Sequence, residues 1–411
     1  MLESPLTLIL AAAIFAYGLL SRKTADSALT APMLFTLLGI LLGPAVLDWA
    51  APGIESRGVK LLAELSLALI LFTDASQIQR SHLVKFEILP LRLLAVGLPL
   101  TMIAGTLVAY SLFSSGWLLA ALLAIMLTPT DAALARSVFS RQDIDESLRH
   151  SISVESGLND GLALPVLLFV LALLVAGQHG QPAGVDHMHW LLFVAQQFVI
   201  GTLWGLFTGR AGGWLSETAA RRQWMTRLYQ RLSAPALALV AYSGAEVLGG
   251  NGFIAAFLAG LFLSARHTRV MGRLKKFGEA EGQLLSLLIF FFFGLIFVPD
   301  ALPAISLHSV IYALLSLTLI RMVPVFISLT GSGLPFRARM FLAWSGPRGI
   351  ASVLYLLLVM EQLGFTRAAD REFFATTVLT ILLSIFLHGI SARLFHNIHL
   401  DKAPPKNRQE P

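Results

Sequence analysis

Long apolar runs, each about the length that crosses a bilayer, follow one another along most of the chain with short polar connections between them. A membrane-spanning helix needs ~20 mostly apolar residues, fewer where it is broken or shielded by protein. On that measure the pattern predicts thirteen spans: 5–21, 28–47, 59–73, 88–112, 117–135, 150–176, 190–209, 233–248, 251–265, 284–298, 302–329, 340–360 and 372–392. The third, eighth and ninth are short. The chain reads as an all-α membrane protein.

One stretch departs from this pattern. Between Thr128 and Gly161 the sequence runs TPTDAALARSVFSRQDIDESLRHSISVESGLNDG, with apolar surroundings on both sides. It puts Asp131, Glu155 and Asp160 where hydrocarbon is expected. A charge at the bilayer centre costs at least ~2.5–3.5 kcal/mol, so acids kept there usually line an ion or substrate path. Pro129 lacks an N–H, and its ring crowds the carbonyl of Ile125, so the fifth span should break into half-helices near Thr128–Thr130. Asp131 then sits at the start of the second half, where a carboxylate is favoured as a cap, and freed carbonyls supply hard oxygen donors for a small cation.

In the sixth span, helical geometry gathers Glu155, Ser156, Asn159 and Asp160 into one arc of ~140°, with Gly157 and Gly161 on the opposite side to admit another helix. A carboxylate on such a face holds a proton or a dehydrated cation, not both, which is the minimal requirement of an antiporter. One acid beside a neutral amide suggests one proton per cation. Glu155 needs a partner, and Arg321 and Arg348 are each alone in an apolar run. We expect Glu155 to pair with Arg321, and Arg348, which follows the second break at Ser345-Gly346-Pro347, to sit near the carbonyl ends freed in the twelfth span.

Composition agrees with a polytopic chain. Of 411 residues 56% are hydrophobic and 13% charged, against about 25% charged in soluble domains. There is no cysteine, hence no disulfide framework or thiol chemistry. The net charge of +6 is explained by topology without a nucleic-acid partner. With the N-terminus outside, 23 of the 30 Lys and Arg fall on the inner side, against Arg57, Lys60, Arg367 and Arg371 outside; only Arg92, Arg321 and Arg348 lie within spans. The positive-inside rule therefore gives an N-out, C-in topology. The first segment, MLESPLTLILAAAIFAYGLL, lacks a basic n-region and reads as a span, not a cleaved signal.

Thirteen spans permit an inverted repeat, spans 1–6 against 8–13, with the seventh as linker. Matching members are seven apart, which pairs the break in the fifth span with that in the twelfth. Paired interruptions in matching spans of two halves are the best sequence pointer to a secondary-transporter site.

These segments, Thr128–Asp131 with Ala132-Ala133-Leu134, Glu155–Gly161 and Gly346-Pro347-Arg348-Gly349, resemble the signature stretches of cation/proton antiporters of the NhaP/NHE type. LGILLGP (38–44), ELSLALILF (64–72), LRLLAVGLPLT (91–101) and LGGNGFIAAFLAG (248–260) are similar to that family too. The resemblance implies inverted six-helix repeats with two interrupted crossing helices in one transmembrane domain over 1–400, followed by a short cytoplasmic tail at 401–411. It also implies a moving core (about 88–176 and 302–392), an interface unit (about 5–73 and 190–298) and a homodimer in lipid. The activity implied is electroneutral exchange of Na⁺, often Li⁺, for H⁺ in a plasma membrane of the bacterial inner-membrane type, with no cofactor or resident metal and no enzymatic turnover. Asp160 would be the carrier, Thr130, Asp131 and Ser156 would surround the ion, Asn159 would orient the carboxylates, and Glu155 would bridge to Arg321. Where many relatives read TDP, this chain reads Thr130-Asp131-Ala132, and Pro129 already supplies the break. A K⁺/H⁺ antiporter, a gated cation channel and an intramembrane acid-pair enzyme are the alternatives. Glu64 and Glu246 read as vestibule or interhelical acids, Asp74 as interfacial, and His179, Asp186, His187 and His189 as an outer loop matching no zinc motif.

Overall fold

The structure is a computed structural model and describes residues 4–24, 29–49, 57–77, 88–114, 116–131, 134, 144–178, 187–263, 281–363 and 368–391. Regular structure among these is helical. The helices are α1 (Ser4–Thr24), α2 (Ala31–Leu42), α3 (Arg57–Gln77), α4 (Ile88–Leu112), α5 (Trp117–Met126), α6 (Glu146–Gln178), α7 (His187–Arg221), α8 (Arg227–Val247), α9 (Gly252–Leu263), α10 (Glu281–Ala304), α11 (Leu307–Ser328), α12 (Phe336–Trp344), α13 (Ile350–Leu363) and α14 (Ala368–Ser391). Among the described residues, five of them, α4, α6, α10, α11 and α14, are long and apolar enough to cross a membrane by length and composition.

The differences from the sequence pattern have local causes. The third and eighth segments were expected to be short, yet α3 and α8 each run for 21 residues, because their polar ends continue the helix beyond the apolar stretch. The ninth remains short at 12 residues, and its start is fixed from outside. Asn251 Oδ1 accepts from the backbone N–H groups of Phe253 and Ile254, at 3.1 Å each, and Glu246 Oε1 accepts from Gly252 N at 2.7 Å. Glu246 is thus a cap for α9, where its negative charge meets the positive helix end. His179, Asp186 and the tail at 401–411 lie outside the described residues.

Two packing groups frame the molecule. In one, α3, α7, α8 and α9 lie against each other. In the other, α4, α5, α6, α11, α12, α13 and α14 surround the interrupted segments. α3 also borders α6 and α13, and α2 pairs with α10, which packs on α14. The α2–α10 contact is backbone to backbone. α10 makes a π-helical turn at Phe293–Phe297, and a Cβ at Gly294 would overlap the Thr36 carbonyl while one at Gly39 would overlap that of Phe291.

The α7–α9 seam follows the same rule. Gly201, Gly205 and Gly209, four residues apart, face Asn251, Ala255 and Ala259, so small residues on both sides bring the helices to backbone contact. A Cβ at Gly205 would come 2.8 Å from the Ala255 Cα. Backbone cannot swing aside as a flexible side chain can. Gly205→Leu should therefore destabilise the protein by about 1–3 kcal/mol or more through overpacking, read as a lower melting temperature in detergent. Gly18→Leu, at a glycine with open space around it, should melt like the unaltered protein.

Candidate functional site

Helix α5 stops at Met126, and residues 127–131 are unwound. Pro129 offers no N–H to continue the ladder. Thr128 folds its hydroxyl back onto the Ala124 carbonyl at 2.7 Å, which satisfies one acceptor of the last turn. The second interruption separates α12 from α13. Ser345 leaves helical geometry with φ −76° and ψ 51°, and residues 345–349 are non-helical and buried.

The two interruptions lie against each other and supply one another's missing bonds. Asp131 N donates to the Pro347 carbonyl at 2.8 Å, and the Asp131 carboxylate accepts from Ile350 N at 2.9 Å. The acid therefore caps α13, the second half of the opposite broken helix. The half-helix that it was expected to start, from residue 132, lies outside the described residues. Gly349 leaves room for this contact, since a Cβ there would overlap the Asp131 side chain.

Arg348 makes the return contact. Its Nη1 donates to the Thr128 carbonyl at 3.1 Å and to Gly346 O at 3.4 Å, while Nη2 donates to Ser316 O at 3.4 Å. The guanidinium was expected near the carbonyls freed in its own span, but its shortest such bond goes to the other break. Ser352 Oγ adds a bond to Met126 O at 2.8 Å, and Arg348 N donates to Ser384 Oγ of α14 at 2.6 Å. A cation thus meets the negative end of α5 and an anion the positive end of α13.

Helix α6 brings its polar face to this crossing. Glu155, Ser156, Asn159 and Asp160 are 1%, 3%, 0% and 9% exposed. Ser156 Oγ donates to the Thr130 carbonyl, and Asn159 Nδ2 donates to the Thr130 hydroxyl at 2.6 Å. These bonds tie Ser156 and Asn159 to the first break. Gly157 and Gly161 lie on the other side, where Gly157 faces the Asp74 backbone of α3 and a Cβ at Gly161 would overlap the Phe257 ring of α9.

Arg321 Nη2 lies 2.6 Å from Glu155 Oε1, with both side chains almost fully buried. Gly346 is bare beneath it, since a Cβ there would come 2.7 Å from Arg321 Nε. The remaining acid is Asp160. Its Oδ1 and the neighbouring Asn159 Oδ1 are buried acceptors with no hydrogen-bond partner among the described residues. Buried orphaned oxygens of this kind suit a hard monovalent cation or, on the carboxylate, a proton. Among the described residues no group of three His, Cys, Asp or Glu is arranged to hold a resident metal.

Several contributors were not singled out in the sequence. Asp74 was read as interfacial, but with Asp131 it is near enough to Asp160 to act on it electrostatically. Ser352, Ser384 and Tyr355, whose hydroxyl donates to the Asp160 main-chain oxygen at 2.6 Å, looked like ordinary members of apolar helices. Hydroxyls placed three residues apart just after a break were the available signal.

Two broken helices crossing inside a helical membrane-type fold, with buried acids at the crossing, define the class of secondary transporters. The transmembrane family model of the sodium/hydrogen exchangers matches residues 9–397, and the chain belongs to that cation/proton antiporter family. It is 26% identical over 357 residues to the K⁺/H⁺ antiporter NhaP2 of Shewanella sp. (strain ANA-3), covering 84% of this chain and 58% of that protein. The chain thus spans under two thirds of that relative's length. It is likewise 26% identical over 251 residues to Na⁺/H⁺ antiporter 2 of Zygosaccharomyces rouxii, 56% of this chain and 29% of that one. The fold matches the sodium proton antiporter MjNhaP1 of Methanocaldococcus jannaschii with a TM-score of 0.76 at 20% identity, covering 94% of this chain and 96% of the other.

The Glu155–Arg321 pair sets a stability test. Breaking a buried pair strands a charge, at about 3–5 kcal/mol, whereas replacing both partners by apolar groups is often neutral. Glu155→Gln and Arg321→Met should each lower the melting temperature in detergent sharply, and the double variant Glu155→Leu/Arg321→Met should recover most of the loss. Toleration of either single change would remove the pair from the architecture.

Proposed function

We propose that the chain exchanges a monovalent cation, Na⁺ or Li⁺, for H⁺ by alternating access, one for one, with Asp160 as the shared carrier. The observation that carries this reading is the leftover carboxylate. Asp131 is engaged by Ile350 N and Glu155 by Arg321, while Asp160 Oδ1 is buried and unbonded among the described residues. In this reading Thr130, together with Ser156 and Asn159 that hydrogen-bond to it, supplies further oxygens around the ion, and Asp74 extends the negative field towards α3.

Charge balance supports the stoichiometry. Among the charges on the two breaks, α6 and α11, with Asp74 of α3 outside the count, Asp131, Glu155 and Asp160 contribute three negative charges, and Arg321 and Arg348 two positive ones. Ionised and empty, the crossing carries one net negative charge; one proton or one monovalent cation neutralises it. Moving a net charge through a low-dielectric barrier costs several kcal/mol more than moving a neutral assembly. The loaded forms cross and the empty form is held back, which is the condition for exchange.

The transport geometry belongs to the same proposal. The packing group around the interrupted segments would move as a core against α3, α7, α8 and α9, in an N-out, C-in arrangement of inverted repeats within a plasma membrane, as a homodimer. Support comes from the separate packing of these helices and from the basic residues' bias to one side. K⁺ is the second reading for the cation, because the NhaP2 relatives are named K⁺/H⁺ antiporters.

The test uses liposomes loaded with a pH dye. Na⁺, Li⁺ or K⁺ added outside should drive proton efflux through the unaltered protein, and Asp160→Asn should abolish it while remaining folded. Transport that survives this change would take the carrier role from Asp160. In a second arm the membrane potential is clamped at several values. Rates should stay constant; a steep dependence would exclude one-for-one exchange.

A further inference from the structure

Resting on the antiport reading, we propose that Tyr355 is a positioning residue that sets the affinity of the cation site by fixing the backbone under Asp160. Tyr355 is 0% exposed and lies on α13, the half-helix that follows the second break. Its hydroxyl donates to the main-chain oxygen of Asp160 at 2.6 Å, across 195 residues of sequence.

The helix turn next to that carbonyl is one bond short. Pro165 lies inside α6, lacks an N–H, and so gives no bond to the carbonyl of Gly161, the residue after Asp160. A proline ring also pushes the carbonyl four residues back out of line. Gly161 itself is free of side-chain packing of its own and is abutted by Phe257 of α9, which belongs to the other packing group. The helix thus lacks one ladder bond at the residue after Asp160, and that residue is touched on one side by an element of that group. The Tyr355 hydroxyl fixes the helix to the crossing instead.

The rest of α13 shows what the fixing is for. Ile350 N holds the Asp131 carboxylate and Ser352 holds the Met126 carbonyl at the end of α5. Tyr355 follows Ser352 by three residues, and side chains at that spacing lie on one face of a helix. One short helix therefore holds Asp131, the end of α5 and Asp160 at set distances from one another. A cation between Asp160 and the first break senses those distances directly, since small ions bind through oxygens at defined separations. The phenol has no proton-carrying duty here; its contact is with a main-chain oxygen, one step from the ion.

Tyr355→Phe keeps the ring and deletes only the hydroxyl. In the liposome assay with the full chain, the cation concentration for half-maximal rate should rise about tenfold, the maximal rate should stay within about twofold, and the pH profile should shift. A purely structural role would lower protein yield and maximal rate without moving these readouts. Pro165→Ala restores the missing N–H to that turn, so Tyr355→Phe/Pro165→Ala should recover much of the affinity. This double variant also serves where Tyr355→Phe alone does not fold: near-normal affinity supports the proposal, and affinity still tenfold weaker overturns it. Unaltered protein that is active, with Tyr355→Phe showing the same half-maximal concentration and pH profile, overturns the role of Tyr355 and leaves antiport standing. Absence of cation-driven flux in the unaltered protein overturns both.

Discussion

Where α5 ends and α13 begins, two backbone interruptions satisfy each other's polar groups, and the geometry of the site depends on this. Non-helical backbone at membrane depth survives only if protein or an aqueous cavity takes up its hydrogen bonds. Here the Thr128 carbonyl is taken by Arg348, the Met126 carbonyl by Ser352, and Ile350 N by Asp131. Neither break could persist alone. The crossing is therefore a joint structure of two segments some 220 residues apart, and its charges are arranged by helix-end polarity before any ion arrives.

This mutual dependence explains what the sequence could and could not disclose. The all-helical, apolar character of the chain, the position of both breaks and the polar face of α6 were legible because each follows from a local rule: apolar length, a proline's missing N–H, or the ~100° helical step. The Glu155–Arg321 contact was legible for a different reason, since few charges are available inside the membrane to answer one another. What could not be read was which break serves which. A capping rule assigns Asp131 to its own following half-helix, and proximity assigns Arg348 to its own span. Long-range crossing adds the Asp131–Ile350 bond and gives Arg348 its shortest carbonyl bond at Thr128, while the half-helix after Asp131 lies outside the described residues. Likewise, the three-residue spacing of Ser352 and Tyr355 after the second break marks a shared helix face but does not say which carbonyls they meet.

The two kinds of packing in the molecule divide labour. Between α7 and α9, and between α2 and α10, glycines bring backbone against backbone, leaving no side chain free to adjust. Such seams are stiff and resist sliding. Around the crossing, cohesion comes instead from directional bonds and one buried ion pair, concentrated on α13 and α6. The Phe257–Gly161 contact, where α9 meets α6, lies between these regimes, one residue from Asp160.

That placement bears on how binding could be coupled to motion. A carboxylate whose charge state alters the local balance by one unit sits one residue from the boundary between the packing groups, where Pro165 leaves the helix one bond short. If the turn were free, ion binding would be absorbed by local rearrangement and little would reach the boundary. Because the Asp160 carbonyl is held from α13, the change in charge acts on the crossing as a unit, and Asp131 and Arg348 share the same frame. Under the proposed antiport, rigidity on this side of the boundary would let a single proton or cation decide which packing of the two groups is favoured.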